Sequence, residues 1–207
     1  PIRNPDEMGL DIEEAVKRLN ASAEYKMLFQ KIFGQRSDAK NLAAAFAAFE
    51  ETLETVDSKF DDWSNNLGKL TAQEERGRQL FVGDKAKCFD CHRMEDFTTD
   101  EFKNIGLYDE RKLNDAGLYN ITKKENDKGK FKTPGLRNVA VTAPYMHNGM
   151  FKTLEEVLNY YNSPDWFIEN SVNRDDALKT PLRLTAQEKK DIIAFLKTLT
   201  DKKFIRK

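Results

Sequence analysis

Apolar residues recur at helical spacing from Leu10 to Val56, and polar signals cut that run into three helices. Ile12, Val16 and Leu19 form the first stripe, and Asn20 to Ser22 reads as a stop followed by a new N-cap. The second stripe, Tyr25, Leu28, Phe29, Ile32 and Phe33, ends at Gly34, a residue suited to a helix C-terminus. Ser37-Asp38 opens a third, which carries Leu42, Phe46, Phe49, Leu53 and Val56 on one side. These stripes are expected to be core. Asp57 to Lys69 is polar and reads as a linker holding Trp63. Three later helices announce themselves by capping boxes, at Thr71 to Glu74, Thr153 to Glu156 and Thr185 to Glu188. Arg93 to Lys132, rich in Gly, Asn, Asp and Lys, is predicted to be a long surface loop with short turns. The fold class expected is all-α.

Composition narrows the function. The chain's 34 Lys+Arg and 35 Asp+Glu nearly cancel, which removes the basic field that nucleic acid requires. Nucleic-acid binding is not expected. No apolar run approaches the ~18 to 20 residues that span a bilayer, so no membrane span is expected either. With 207 residues there is room for one large or two small domains, here divided as 1–67 and 68–207.

The only two cysteines lie in Cys88-Phe89-Asp90-Cys91-His92, the C-x-x-C-H pattern of covalent haem c attachment. Residues three and four apart share one face of a helical turn, so both thiols can reach the vinyl groups of one porphyrin while His92 reaches its iron. A disulfide, a redox pair or half of a zinc site would use the same residues. The redox pair would be expected near a βαβ pattern, and zinc needs further Cys or His ligands, whereas only His147 remains. Gly77-x-x-x-Phe81 before the motif, with an aromatic-bearing last helix, resembles the crossing helix pair of class I cytochromes c, in which a glycine allows close approach. Haem c is ordinarily attached outside the cytoplasm. An exported, periplasmic protein is therefore expected, with the leader removed ahead of Pro1-Ile2-Arg3.

Lys132-Thr133-Pro134-Gly135-Leu136-Arg137-Asn138-Val139, then Thr142-Ala143-Pro144-Tyr145-Met146-His147-Asn148-Gly149, then Thr153-Leu154-Glu155-Glu156, resembles the C-terminal haem domain of the bacterial dihaem cytochrome c peroxidase family, which includes MauG-type enzymes. Pro1 to Gly9 resembles the segment that ends that family's first haem domain. There Glu7 matches the distal acid of the peroxidatic haem and Pro1 a residue of the same pocket. The family's first C-x-x-C-H lies upstream and is not in this sequence. The chain is accordingly expected to be a C-terminal portion that works with an N-terminal haem domain and a second haem.

Residue type alone leaves Met146, Met150, His147, Tyr160 and Tyr161 as candidates for the sixth iron ligand opposite His92. The resemblance implies Tyr161, where peroxidases place a methionine and MauG-type enzymes a tyrosine. It also implies His147 near the porphyrin edge and calcium held by the carbonyls of Thr142 and Pro144. Pro134 is expected to offer a nearby carbonyl to His92, and Arg137 to neutralise a propionate. The activity implied is reduction of hydrogen peroxide with electrons from a small redox protein or a protein substrate, a homodimer being one allowed assembly. Trp63 and Trp166 are candidate hopping sites, though packing is the plainer role. A self-contained monohaem electron carrier is the alternative, and a haem sensor with an open sixth site a third reading.

Overall fold

A computed structural model of the chain describes residues 2–5, 7–93 and 95–205. It divides into two compact units, Pro1–Glu54 and Thr55–Lys207.

The first unit holds α1 (Ile12–Ala21), α2 (Ala23–Phe33) and α3 (Ala39–Glu50). Their ends are those the sequence announces. Ser22 closes α1 and caps α2, Gly34 ends α2 at φ 70°, and Asp38 forms a capping box with Asn41. The Asn20 side chain donates to Ser37 O (2.8 Å) and accepts from Ser37 N (3.1 Å), tying the α2–α3 turn to α1. The expected core is only partly realised. Phe29 and Leu42 are buried, whereas Tyr25, Leu28, Ile32, Phe46, Phe49 and Leu53 are exposed. Three helices of this length offer too little facing surface to cover stripes this wide.

The second unit contains α4 (Lys59–Ser64), α5 (Ala72–Val82), α6 (Tyr119–Thr122), α7 (Leu154–Asn162) and α8 (Ala186–Lys197). Strands β1 (Phe102–Lys103) and β2 (Phe131–Lys132) pair antiparallel, Phe102 facing Lys132, inside the long connection after the cysteine motif. Capping boxes open α5, α7 and α8 at Thr71, Thr153 and Thr185. The frame of the unit is the crossing of α5 over α8. A Cβ at Gly77 would stand 1.9 Å from Asp191 O, so only glycine lets the two backbones approach this closely. Phe81, Ile192, Phe195 and Leu199 fill the crossing and are essentially inaccessible to water.

The stretch expected to be a linker forms α4. Ser58 caps it, and Phe60 packs against Phe97 and Phe195 at 5.0 and 5.9 Å between ring centres. The backbone adds Phe60 N donating to Thr198 O (3.0 Å) and Lys202 N to Asp57 O (2.8 Å). Phe60 thus joins the core of the second compact unit, which begins at Thr55. Among the described residues no helix is long and apolar enough to cross a membrane.

Candidate functional site

Lys87, at φ 53°, turns the chain into a short 3-10 turn, Cys88–Asp90, which continues through Cys91 N (3.3 Å) and His92 N (2.8 Å), both donating to Cys88 O. Side chains three apart eclipse in such a turn, which puts the two thiols on one side. Both cysteines are free. Burial pushes the Cys88 thiol up to about 12 and raises that of Cys91, so neither is an activated thiolate. Among the described residues no group of three His, Cys, Asp or Glu could hold a metal ion, which leaves zinc without a ligand set.

The His92 ring lies with Nδ1 2.9 Å from Phe97 O, and the carbonyl of Pro134 is a second backbone group acting on it. Burial lowers the basicity of the ring against the effect of these two acceptors. With the proton on Nδ1, the lone pair lies on Nε2.

Tyr160 and Tyr161 sit side by side on α7 with opposite fates. Tyr160 is wholly buried, and its hydroxyl donates to Ile105 O at 2.6 Å. The Tyr161 hydroxyl makes no hydrogen bond among the described residues. Burial pushes its phenol well above the ordinary tyrosine range, and Cys91 and Cys88 lie close enough to act on it electrostatically. Tyr161 and Cys88 also pack against the same apolar cluster as Leu154 and Leu158. The two thiols and the half-buried phenol of Tyr161 are thus brought close together, and His92 follows the second thiol directly. Two thiols and an imidazole at this spacing are a donor set that fits haem c.

The other candidates are placed differently. Met146 (φ 69°) is half-buried on the cluster of Leu107, Phe151 and Tyr160, which Tyr161 also touches. Met150 is exposed. His147 stacks on Phe131 at 3.8 Å between ring centres, so its contacts are with β2 rather than with the cysteines. The guanidinium of Arg137, expected at a propionate, is instead committed to Asp61 on α4 through Nη1 (3.1 Å) and to Asp96 through Nε (3.1 Å). Burial alone would raise the Asp61 carboxyl, yet hydrogen bonds from Ser58 and Arg137 outweigh it and hold the group low. Thr142 and Pro144 are exposed, and neither carbonyl accepts a hydrogen bond among the described residues. Glu7 lies in a turn of the first unit closed by Gly9 N donating to Asn4 O at 2.8 Å. Pro1 lies outside the described residues. Trp63 is half-buried under the Arg78 guanidinium, 4.9 Å from the ring centre, and Trp166 is 91% exposed.

Sequence reasoning passes over two residues that organise the site. Phe97 supplies the acceptor for His92, and nothing in its neighbours announces that an aromatic residue will adopt φ 56°. Asn104, 2% exposed, donates to Lys128 O and Val172 O and accepts from Gly106 N, all at 2.8 Å, which closes the loop beneath Tyr160. Its only sequence signal is a polar residue two before a glycine in an aperiodic stretch.

Comparison with known proteins places this geometry. The profile of a family described as di-haem cytochrome c peroxidase matches residues 1–69. The methylamine utilization protein MauG of Methylorubrum extorquens is 35% identical over 96% of this chain and 56% of its own length. Cytochrome c peroxidase Ccp of Escherichia coli K12 is 35% identical over 96% of this chain and 41% of its own. The chain thus spans roughly half the length of these relatives. A crystal structure of a MauG-like protein associated with microbial copper homeostasis superimposes with a TM-score of 0.77 at 37% identity, covering 96% of this chain and 65% of that one.

Proposed function

We propose that the chain belongs to the di-haem cytochrome c peroxidase family, whose profile matches residues 1–69 and to whose relatives MauG and Ccp it is similar at 35% identity, and that it is the C-terminal, electron-transferring haem portion of an exported peroxidase or MauG-like oxidoreductase. The observation that carries the reading is the placing of Cys88 and Cys91 close to the Tyr161 phenol, with His92 next in the chain and held at Nδ1 by a backbone carbonyl. Cys88 and Cys91 would hold haem c, with His92 and Tyr161 as the residues that would ligate its iron. When bound, the haem would supply reversible one-electron redox chemistry at its iron.

The residues set how that chemistry runs. A backbone acceptor on Nδ1 fixes the His92 tautomer and turns the other nitrogen into the ligand. Tyr161 would, on giving up its phenolic proton to the iron, be an anionic ligand that favours the ferric state. The apolar cluster against which Cys88 and Tyr161 pack would form part of the wall around the group. Glu7, matched by resemblance to the distal acid of the first haem's pocket, would be the residue that supplies a proton to peroxide there. Electrons come from a small redox protein or a protein substrate. The carbonyls of Thr142 and Pro144 suit calcium, a hard cation that takes oxygen ligands, and support for that role is their freedom from other hydrogen bonds. Periplasmic location follows from the requirement of haem c attachment.

The test uses the full-length gene product. Whole-protein mass and a pyridine haemochrome count are expected to give two haems, with hydrogen peroxide consumed against a reduced protein donor. One haem and no peroxide turnover rejects the reading in favour of a self-contained electron carrier.

A further inference from the structure

Phe97 combines three properties that rarely coincide. It is an aromatic residue in the left-handed region at φ 56°, it is 5% exposed, and its carbonyl lies 2.9 Å from Nδ1 of His92, one of two backbone acceptors acting on the ring, the other being Pro134 O. A bulky side chain at positive φ costs free energy and persists only where its surroundings over-determine it. Here they do. The ring is wedged edge-on among Phe60 of α4, Phe81 of α5 and Phe195 of α8, at 5.0, 5.9 and 6.2 Å between centres. The flanking residues are pinned as well. The carbonyl of Asp96 accepts from Leu136 N (3.2 Å) and its carboxylate from Arg137. Thr98 Oγ1 donates to Thr133 O (2.7 Å), and Thr99 N donates to Cys91 O (3.0 Å), back into the cysteine turn.

We infer that Phe97 is a positioning residue for His92, its core-anchored ring holding a strained backbone whose carbonyl orients the imidazole and sets how strongly that ligand donates to the iron. The inference rests on haem attachment at Cys88, Cys91 and His92. A ligating imidazole that donates from its far nitrogen is a more basic ligand, which stabilises the ferric state. Releasing the carbonyl raises the midpoint potential of this haem without removing any ligand.

Two variants of the full-length holoprotein isolate the backbone effect, because Phe97→Ala and Phe97→Gly delete almost the same volume from the core and differ only by a Cβ. Glycine adopts positive φ without strain and keeps the carbonyl in place, held by the bonds of Asp96, Thr98 and Thr99. Alanine retains the strain, loses the anchor and relaxes away. Spectroelectrochemistry is expected to show an upward potential shift for Phe97→Ala and a value near that of the parent for Phe97→Gly. Equal shifts in both, or none in either, overturn the inference, since the ring would then be packing alone. If Phe97→Ala gives no holoprotein, Phe60→Leu loosens the ring while leaving residue 97 unchanged. An upward shift there supports the inference, and an unchanged potential overturns it. Haem content by mass separates the two levels: a chain without haem defeats the functional reading, whereas a loaded chain with equal potentials defeats only the role of Phe97.

Discussion

Replacing Gly77 by alanine sets two opposing effects against each other, and the structure says which wins. Alanine is the better helix former by about 1 kcal/mol. If α5 had ordinary clearance, the variant would be more stable. Instead, the new Cβ would sit 1.9 Å from Asp191 O, 2.5 Å from Asp191 C and 2.9 Å from the Phe195 Cβ. Ordinary contact begins at 3.4 Å, so the two backbones must part by about 1.5 Å. A gap of that size forfeits much of the dispersion contact among Phe81, Ile192, Phe195 and Leu199, the most buried side chains of the crossing. Overpacking typically costs about 1 to 3 kcal/mol, and a backbone obstacle puts this site at the upper end. The net expectation is a loss of about 2 kcal/mol after the helix-propensity gain is subtracted. Urea unfolding of the haem-loaded protein, followed at the Soret band so that only the haem-bearing unit reports, measures it. A midpoint equal to or above that of the parent would refute the close crossing.

Asn104→Ala strips two part-buried carbonyls and one buried amide of their partners, and is expected to cost about 2 to 3 kcal/mol in the same unfolding assay. The Asp191 carboxyl is held below its usual range chiefly by hydrogen bonds from Arg76. A depressed native value means that this stability is complete above the ordinary aspartate value near ~4 and is lost as pH falls through the native one. Asp191→Asn should therefore be less stable than the parent at neutral pH, with the gap closing on acidification; a pH-independent gap would contradict the assignment. For the haem site, Tyr161→Phe is expected to alter the ferric optical and EPR spectra while Met146→Leu and Met150→Leu leave them unchanged. A spectrum insensitive to Tyr161 removes it as the sixth ligand.

Local chemistry carried much of this protein in readable form. Helix starts at Thr71, Thr153 and Thr185 depend on a hydroxyl and a carboxylate three residues apart, an arrangement complete within one turn and therefore visible in the sequence. The cysteine motif is legible for the same reason, and Gly77 followed by Phe81 signalled the α5–α8 crossing because close approach requires a missing side chain. What the chain alone left open depends on partners distant in sequence. Periodicity marks which face of a helix is apolar but not how much surface arrives to cover it, so the stripes of α2 and α3 were read as core although most of their large residues are exposed. Polarity made residues 57–69 look like a linker, when Phe60 finds Phe97 and Phe195 from elsewhere in the chain. Arg137 carries a charge that suits any anion, and only the tertiary arrangement assigned it to Asp61 and Asp96. Phe97 is the furthest case. A backbone held at positive φ against its own side chain's preference is decided by the three helices that grip the ring, and no local pattern encodes that grip.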